Sequence, residues 1–489
     1  MEDVKKLLWE AVGKQRTEVS FSNRFRDIGF DDGKLRLGWV KPPIWELVEN
    51  SLNNIRKYIE NKKEFIFVGI GGSINGVKAV LSLNKKNNNI HCIDNLDPTV
   101  LINVLSKIKN FQDTIIVAIS KSATTLETQI IARSLKYAFC QLASKKKTLN
   151  IDDYLKKHFL WLVDKDSFSK LDDLGWQGYY RLPIQVDGRN DIGGRFSSPH
   201  TLIFLLPLFL IMKMDISKVK NYYLKYTSLI DRIVNKAYRD ALSYIDCQRV
   251  YFSVCVDRVF KDNFRVWITQ LFQESMGSKE YIFPLKTFVT ERRIRKGFFM
   301  PIYLDMENIS KVEKLMAYMY YLQNFVAFYS YFKRINFVNQ PYVEKYKERM
   351  RQLHKDDVGN IREINIRELV REIKQKLKPH HIFIEIIVYF CDNKFNRKLE
   401  NFLKRNFPKM RILIFTGSDW NHHSYQSAYC SQDTLYVILV KKNYCLDDSL
   451  ISKDILAEQV NTQKLISYAT YLTLEEKAIL FSIDTESNS

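Results

Sequence analysis

The sequence predicts an α/β protein with two doubly wound parallel-sheet domains followed by a C-terminal α/β region. Three observations carry this expectation. From Glu64 onward, apolar runs of strand length alternate with stretches of helical period: EFIFVGI leads to a helix after Ser73, and TIIVAIS to a helix after Thr125. The alternation restarts near Arg249, where RVYFSVC precedes a helix over about 263–275 and the short segment YIFPLK. Strand-like runs return at 381–390, 411–415 and 434–440. Strands alternating with helices read as a parallel sheet with crossover helices.

A chain of 489 residues exceeds what one core holds, since single cores stop growing near about 250 to 300 residues. The expected division is an N-terminal helical segment over 1–60, a first sheet domain over 61–200, a second over 201–365 and the C-terminal region over 366–489. Within 1–60, Lys41-Pro42-Pro43 marks a turn before the periodic stretch Ile44 to Ile59, and no chemistry is visible there. HFLWLVD at 158–164 reads as a further strand. The run Leu202 to Met212, interrupted by Pro207, is well short of the ~20 residues that span a bilayer and reads as a buried helix. The charged stretch 352–378 reads as a linker or cover, and only DTESNS at the end looks frayed.

Hydrophobic residues at 46% and charged residues at 27% suit a globular protein and argue against disorder. The N-terminal MEDVKKLLWEAVGK has no secretory apolar stretch, so a cytoplasmic location and no membrane partner are expected. Seven scattered cysteines without a CxxC pair predict free, mostly buried thiols and no metal site. The net charge of +20 attracts phosphates whichever molecule carries them. Its basic runs (Lys145 to Lys147, Arg292 to Arg295, Lys404-Arg405) lack a nucleic-acid-binding signature, so they read as solvated faces and no nucleic-acid partner is expected.

Two turns suggest an anion site. In GIGGS, Gly69 to Ser73, glycines follow an apolar strand and open a helix, so that Gly72 and Ser73 present a backbone amide and a hydroxyl at a helix N-terminus. In SKSATTLET, Ser120, Lys121, Ser122, Thr124 and Thr125 cluster at the C-terminal end of a strand, where open α/β sheets bind ligands. A capping box of Thr124 with Glu127 accounts for one of these hydroxyls but leaves the rest unexplained. Without a GxGxxG, the set suits a phosphate monoester better than a dinucleotide. Further on, WITQLFQESMGSK places Trp267, Gln270, Leu271 and Glu274 on one helical face, with Glu274 near the helix end before Gly277. An isolated helical Glu is ordinarily a solvated surface residue.

GIGGS together with SKSATT resembles the sugar isomerase domain of the glucose-6-phosphate isomerase family. The resemblance implies phosphate contacts from Ser73, Ser120, Lys121, Ser122 and Thr125. WITQLFQESMGSK resembles the family signature QLFxESxGK, which implies that Glu274 moves a proton between C2 and C1 and that Gln270 contacts sugar hydroxyls. GGRFSSPHT, 193–201, resembles GGRYS; by that match Arg195 offsets charge on an enediolate and Gly194 leaves room for substrate, the bland alternative being a structural ion pair. NFVNQPYVEKYKERM resembles NQPGVExxK, with Pro341 at a first helical position. That match puts Gln340 beside the sugar and Lys347 at the ring oxygen or C1 hydroxyl; taken alone, Lys347 is an ordinary surface lysine.

One motif is out of place. Shorter family members carry a ring-opening histidine in HSxxQ soon after the glutamate, where this chain reads FVTERRIRKGF. The late segment GSDWNHHSYQSAYC offers His423-Ser424 and Gln426 in that pattern, as in a longer branch of the family. His423 is the candidate, His422 and His200 stand as alternatives, and a polar loop in a diverged domain is the competing reading.

What the resemblance implies as a whole is aldose–ketose isomerisation between glucose 6-phosphate and fructose 6-phosphate, a step of glycolysis and gluconeogenesis. It implies two sugar isomerase domains, ring opening followed by an enediolate, no metal or cofactor, and a homodimer whose active sites borrow residues across the interface. A non-catalytic sugar-phosphate-binding regulator, an isomerase of altered specificity and a nucleic-acid binder are the rivals.

Overall fold

The computed structural model describes residues 3–84, 89–145, 150–246, 251–277, 286–291, 299–306, 308–353, 358, 361–444 and 446–485. Most of YIFPLK, the run Arg292 to Arg295, Cys247, Cys445 and most of DTESNS lie outside the described residues, as do parts of the stretches 145–147 and 352–378.

The N-terminal segment is not wholly helical. Between the helices Val4–Ala11 and Trp45–Ile59, β1 (Phe30–Asp31) and β2 (Lys34–Leu35) pair antiparallel. Asp32 and Gly33 join them with φ of 47° and 73°, the left-handed pair that a two-residue hairpin turn needs.

β3 (Glu64–Val68), β4 (Ile90–Ile93), β5 (Thr114–Ile119), β6 (Phe159–Val163) and β7 (Tyr180–Pro183) form a parallel sheet in the order β4-β3-β5-β6-β7. β3, β5 and β6 are buried at every position because helices cover both faces, which is why they read as unbroken apolar runs. The chain leaves β3 toward one edge and β5 toward the other. The C-terminal ends of these adjacent strands therefore flank the switch point at which such sheets open a ligand crevice.

In the second unit, β8 (Tyr251–Cys255) lies between β9 (Lys286–Thr290) and β10 (Phe299–Tyr303), all parallel. The helix Lys261–Met276 that follows β8 is buried on every side over its last ten residues, Trp267 to Met276. The helix Leu202–Ile211, with Pro207 inside it, is buried as expected from its composition.

The third sheet comprises β11 (Glu363–Ile364), β12 (Phe383–Val388), β13 (Arg411–Thr416), β14 (Thr434–Lys441) and β15 (Ala478–Ile483), parallel in the order β11-β15-β14-β12-β13. The charged stretch expected to link or cover is instead part of this unit. It contributes β11 and the helix Ile366–Lys376, which buries Leu369, Val370 and Ile373 and starts with an Asn365/Glu368 capping box.

The first and third units share a core, in which Ile66, Trp161, Ile387, Trp420 and Tyr436 belong to one cluster. Buried charges join the units as well, first to third and second to third. Lys78 donates to Asp94 at 2.6 Å and lies 3.7 Å from Asp419, while Lys286 of β9 pairs with Glu385 of β12. Among the cysteines, Cys391 is exposed and Cys92 and Cys140 are half-buried, so the expected burial is only partial. Among the described residues, no helix is long and apolar enough to cross a membrane.

Candidate active site

Residues of all three units and of the β1–β2 hairpin line one cavity of about 740 Å³. Its first wall is the glycine turn. Gly71 has φ +57°, and a Cβ there would stand 2.8 Å from the Cβ of His422. A Cβ on Gly72 would stand 2.4 Å from the carbonyl carbon of Gly194. Glycine is required here because two other segments pack directly on the turn, at the N-terminus of the helix Gly72–Leu81. Gly72, Ser73 and Gly194 all line the cavity.

The hydroxyl-rich turn after β5 forms the second wall. Lys121, Ser122, Thr124 and Thr125 line the cavity, and the Ser122 and Thr124 hydroxyls are 2.9 Å apart. Ser120 differs from the other four. It is wholly buried and donates to the Thr125 hydroxyl at 3.0 Å, so it shapes the turn from beneath instead of lining the cavity. The ammonium of Lys121 sits 3.7 Å from Asp164 at the end of β6. Burial lowers Lys121 to about 8 despite Asp164, and burial raises Asp164 to about 6 despite Lys121.

Glu274 and Arg195 meet on the third wall. Arg195 donates to Glu274 Oε1 at 2.9 Å through Nη1, to Ser275 Oγ at 2.8 Å through Nε and to the Phe337 carbonyl at 2.8 Å through Nη2. Both side chains are more than nine-tenths buried and both line the cavity. Among the described residues, Glu274 Oε2 has no hydrogen-bond partner. Gln340 lies 3.5 Å from the same Nη1 of Arg195.

Gln270, one turn before Glu274, uses both ends of its amide. It accepts from Asn75 at 3.0 Å and donates to the carbonyl of His422 at 3.1 Å, tying the glycine-turn helix to the C-terminal unit. Lys347 lines the cavity from the helix Val343–Gln352 with its ammonium 2.7 Å from Glu344. That helix begins two residues after Pro341, which sits in the preceding turn and not at the expected first helical position.

The histidines divide clearly. His422 lines the cavity, with Nε2 3.4 Å from Glu127 Oε1. His423 is outside the lining: it is buried, packs edge-on against Phe415, and its Nδ1 is 2.5 Å from Ser424 Oγ. Burial, then Arg265, holds the His423 imidazole well below its ordinary value and therefore neutral. His200, the fallback, is buried elsewhere between the Trp39 carbonyl and the Tyr226 hydroxyl. Glu127 takes up His422 in place of closing a capping box; burial opposes its ionisation, but His422 holds it below the ordinary carboxylate range.

Sequence reasoning passed over several lining residues. Asp31, Asp32, Lys34 and Arg36 arrive on the hairpin, whose DDG turn is the signal that could have found it. Asp164 follows the strand HFLWLVD directly, at a sheet edge already marked as a ligand site.

Fold and cavity thus define an α/β protein in which a glycine turn and a hydroxyl-rich turn, at the switch point of a parallel sheet, share a cavity with a buried carboxyl–guanidinium pair. Residues 55–232 match the family model for phosphoglucose isomerase. Glucose-6-phosphate isomerase from Campylobacter jejuni is 29% identical over 280 residues, 54% of this chain and 62% of that protein. The Borreliella burgdorferi enzyme of the same name is 32% identical over 44% of this chain and 41% of that protein. A crystal structure of glucose-6-phosphate isomerase from Chlamydia trachomatis aligns with TM-score 0.48 at 14% identity, covering 71% of this chain and 77% of that one. Over these stretches the chain is similar to the glucose-6-phosphate isomerases, and it spans less than two thirds of the length of these curated relatives.

Proposed function

We propose that the chain interconverts glucose 6-phosphate and fructose 6-phosphate, as a cytoplasmic step of glycolysis and gluconeogenesis. One observation carries this reading: Glu274, Arg195, Lys347 and His422 line the same cavity as the glycine turn and the hydroxyl-rich turn. A cavity of about 740 Å³ lies within the range of roughly 300–1,000 Å³ usual for small-molecule sites.

In this reading Gly72, Ser73, Lys121, Ser122 and Thr125 anchor the phosphate, with Ser120 holding the turn in shape. His422, steadied by Glu127, and Lys347 pass a proton from the anomeric hydroxyl to the ring oxygen and open the pyranose. The geometry favours His422 over His423 for this role, because His423 is buried against Phe415. Glu274 then takes the C2 proton, the electron pair forms the C1–C2 double bond of the enediolate as the C1 carbonyl electrons move onto O1, the hydroxyl proton passes from O2 to O1, and Glu274 returns its proton to C1 as the C2 carbonyl forms. Arg195 offsets the charge that develops on the enediolate oxygens, while Gln270 and Gln340 keep the sugar in place. These steps use side chains alone. We further propose the domain division 61–200, 201–365 and 366–489, and homodimerisation.

A coupled assay supplied with fructose 6-phosphate tests the reading. Wild-type protein is expected to yield glucose 6-phosphate, and the Glu274→Gln variant to bind fructose 6-phosphate without converting it. A wild type that binds the sugar and never turns it over makes the chain a sensor instead.

A further inference from the structure

One wall of the cavity is built by the chain's own C-terminal unit. His422 and Ile466 line the cavity, and both belong to the third unit.

The segment that carries His422 is fixed from every side. Trp420 Nε1 donates to Glu385, the β12 carboxyl that also pairs with Lys286. Asn421 donates to Thr470 Oγ1 at 2.7 Å and accepts from the Tyr389 hydroxyl at 2.5 Å. Toward the Glu274 helix, Gln273 donates to Ser424 Oγ at 2.7 Å and Gln270 to the His422 carbonyl at 3.1 Å. The helix end is equally close, since a Cβ on Gly277 would stand 2.6 Å from the Cα of Ser427. Wholly or nearly buried groups of one chain thus deliver the His422 imidazole to Glu127 and the glycine turn.

We propose that the C-terminal α/β unit is a built-in part of the same chain's active site, supplying His422 in cis, so that each chain holds a complete site without residues from a partner. This rests on the isomerase reading for the task of His422, but not for its position. It also accounts for the displaced motif: a histidine missing after Glu274 is replaced by one from an added sheet domain that docks onto the Glu274 helix.

Two measurements decide it. Glu274→Gln and His422→Ala chains, each inactive and each shown by circular dichroism to be folded, are co-expressed and assayed together. A cis site gives no recovery. A site shared across a dimer gives about a quarter of wild-type activity, because half the assemblies are mixed and each has one intact site. A His422→Ala variant as active as wild type also overturns the proposal.

The second measurement does not need activity. Gly71→Cys/His422→Cys chains are made in natural-abundance and ¹⁵N forms, mixed in the unfolded state, refolded together, oxidised and digested. A Cβ at 71 would lie 2.8 Å from that of residue 422, within about 1 Å of disulfide geometry. Disulfide-linked 71–422 peptides of matched isotope alone support cis delivery. Mixed-isotope pairs, or no 71–422 linkage, overturn it. An inactive wild type removes the isomerase reading while this experiment still decides where His422 sits.

Discussion

Arg195 holds Glu274 at 2.9 Å with both side chains almost wholly removed from water, and among the described residues the second carboxyl oxygen of Glu274 has no partner. A buried carboxyl with one oxygen spent on a guanidinium and the other unspent is positioned for proton transfer without being free to swing.

Glu274→Gln keeps an oxygen that can accept from Arg195, so the fold should survive. Activity should drop by roughly 10²–10⁴-fold, the usual contribution of a positioned acid–base group. Isothermal titration with fructose 6-phosphate should show affinity within a few-fold of wild type.

Arg195→Ala should behave differently. It removes the bonds to Glu274, Ser275 and the Phe337 carbonyl at once and strands a buried carboxyl. Losing one partner of a buried pair costs about 3–5 kcal/mol, which urea denaturation would register alongside the loss of activity.

Phosphate affinity should depend on Lys121. Its pKa of about 8 means that the free site loses this positive charge as pH rises through about 8. Below that pH the ammonium is present and binding is favoured; above it the Kd for inorganic phosphate should increase. Lys121→Arg, which keeps its charge, should abolish that increase, as measured by titration between pH 7 and pH 9.5, approximate bounds chosen to bracket the shift.

Acid should destabilise the protein through its buried histidines. Burial lowers His200 from 6.5 to about 4, and His423 lies well below 6.5. The unfolded chain therefore takes up protons that the native state refuses, so stability present above pH 6.5 is lost as pH falls toward 4. The contribution of His200 is of the order of 3 kcal/mol. His200→Gln should flatten the fall in urea midpoint between these pH values.

How much of this could be read from residues alone follows from burial. β3, β5, β6 and β12 are buried throughout and β14 at all but its last residue, and all are legible as apolar runs, whereas β7 is half-buried at a sheet edge, ends in Pro183 and carries no such signal. The hairpin carries no sequence signal of its own in its strands, which are two residues long and too short for any alternation to show. Motif matching brought GIGGS, SKSATT, Arg195, Glu274 and Lys347 to one cavity. It could not choose between adjacent histidines. Neighbours on a helix point about 100° apart, and only packing against Phe415 shows that His423 faces inward while His422 faces the cavity. Glu127 likewise fitted a local capping pattern, and its long-range partner lies 295 positions away.

The most direct test of the proton-transfer account is solvent exchange. Fructose 6-phosphate incubated with wild-type protein in D₂O should acquire deuterium at C1 and appear in glucose 6-phosphate labelled at C2, and Glu274→Gln should do neither. Exchange by Glu274→Gln at the wild-type rate would contradict the assignment of Glu274 as the base.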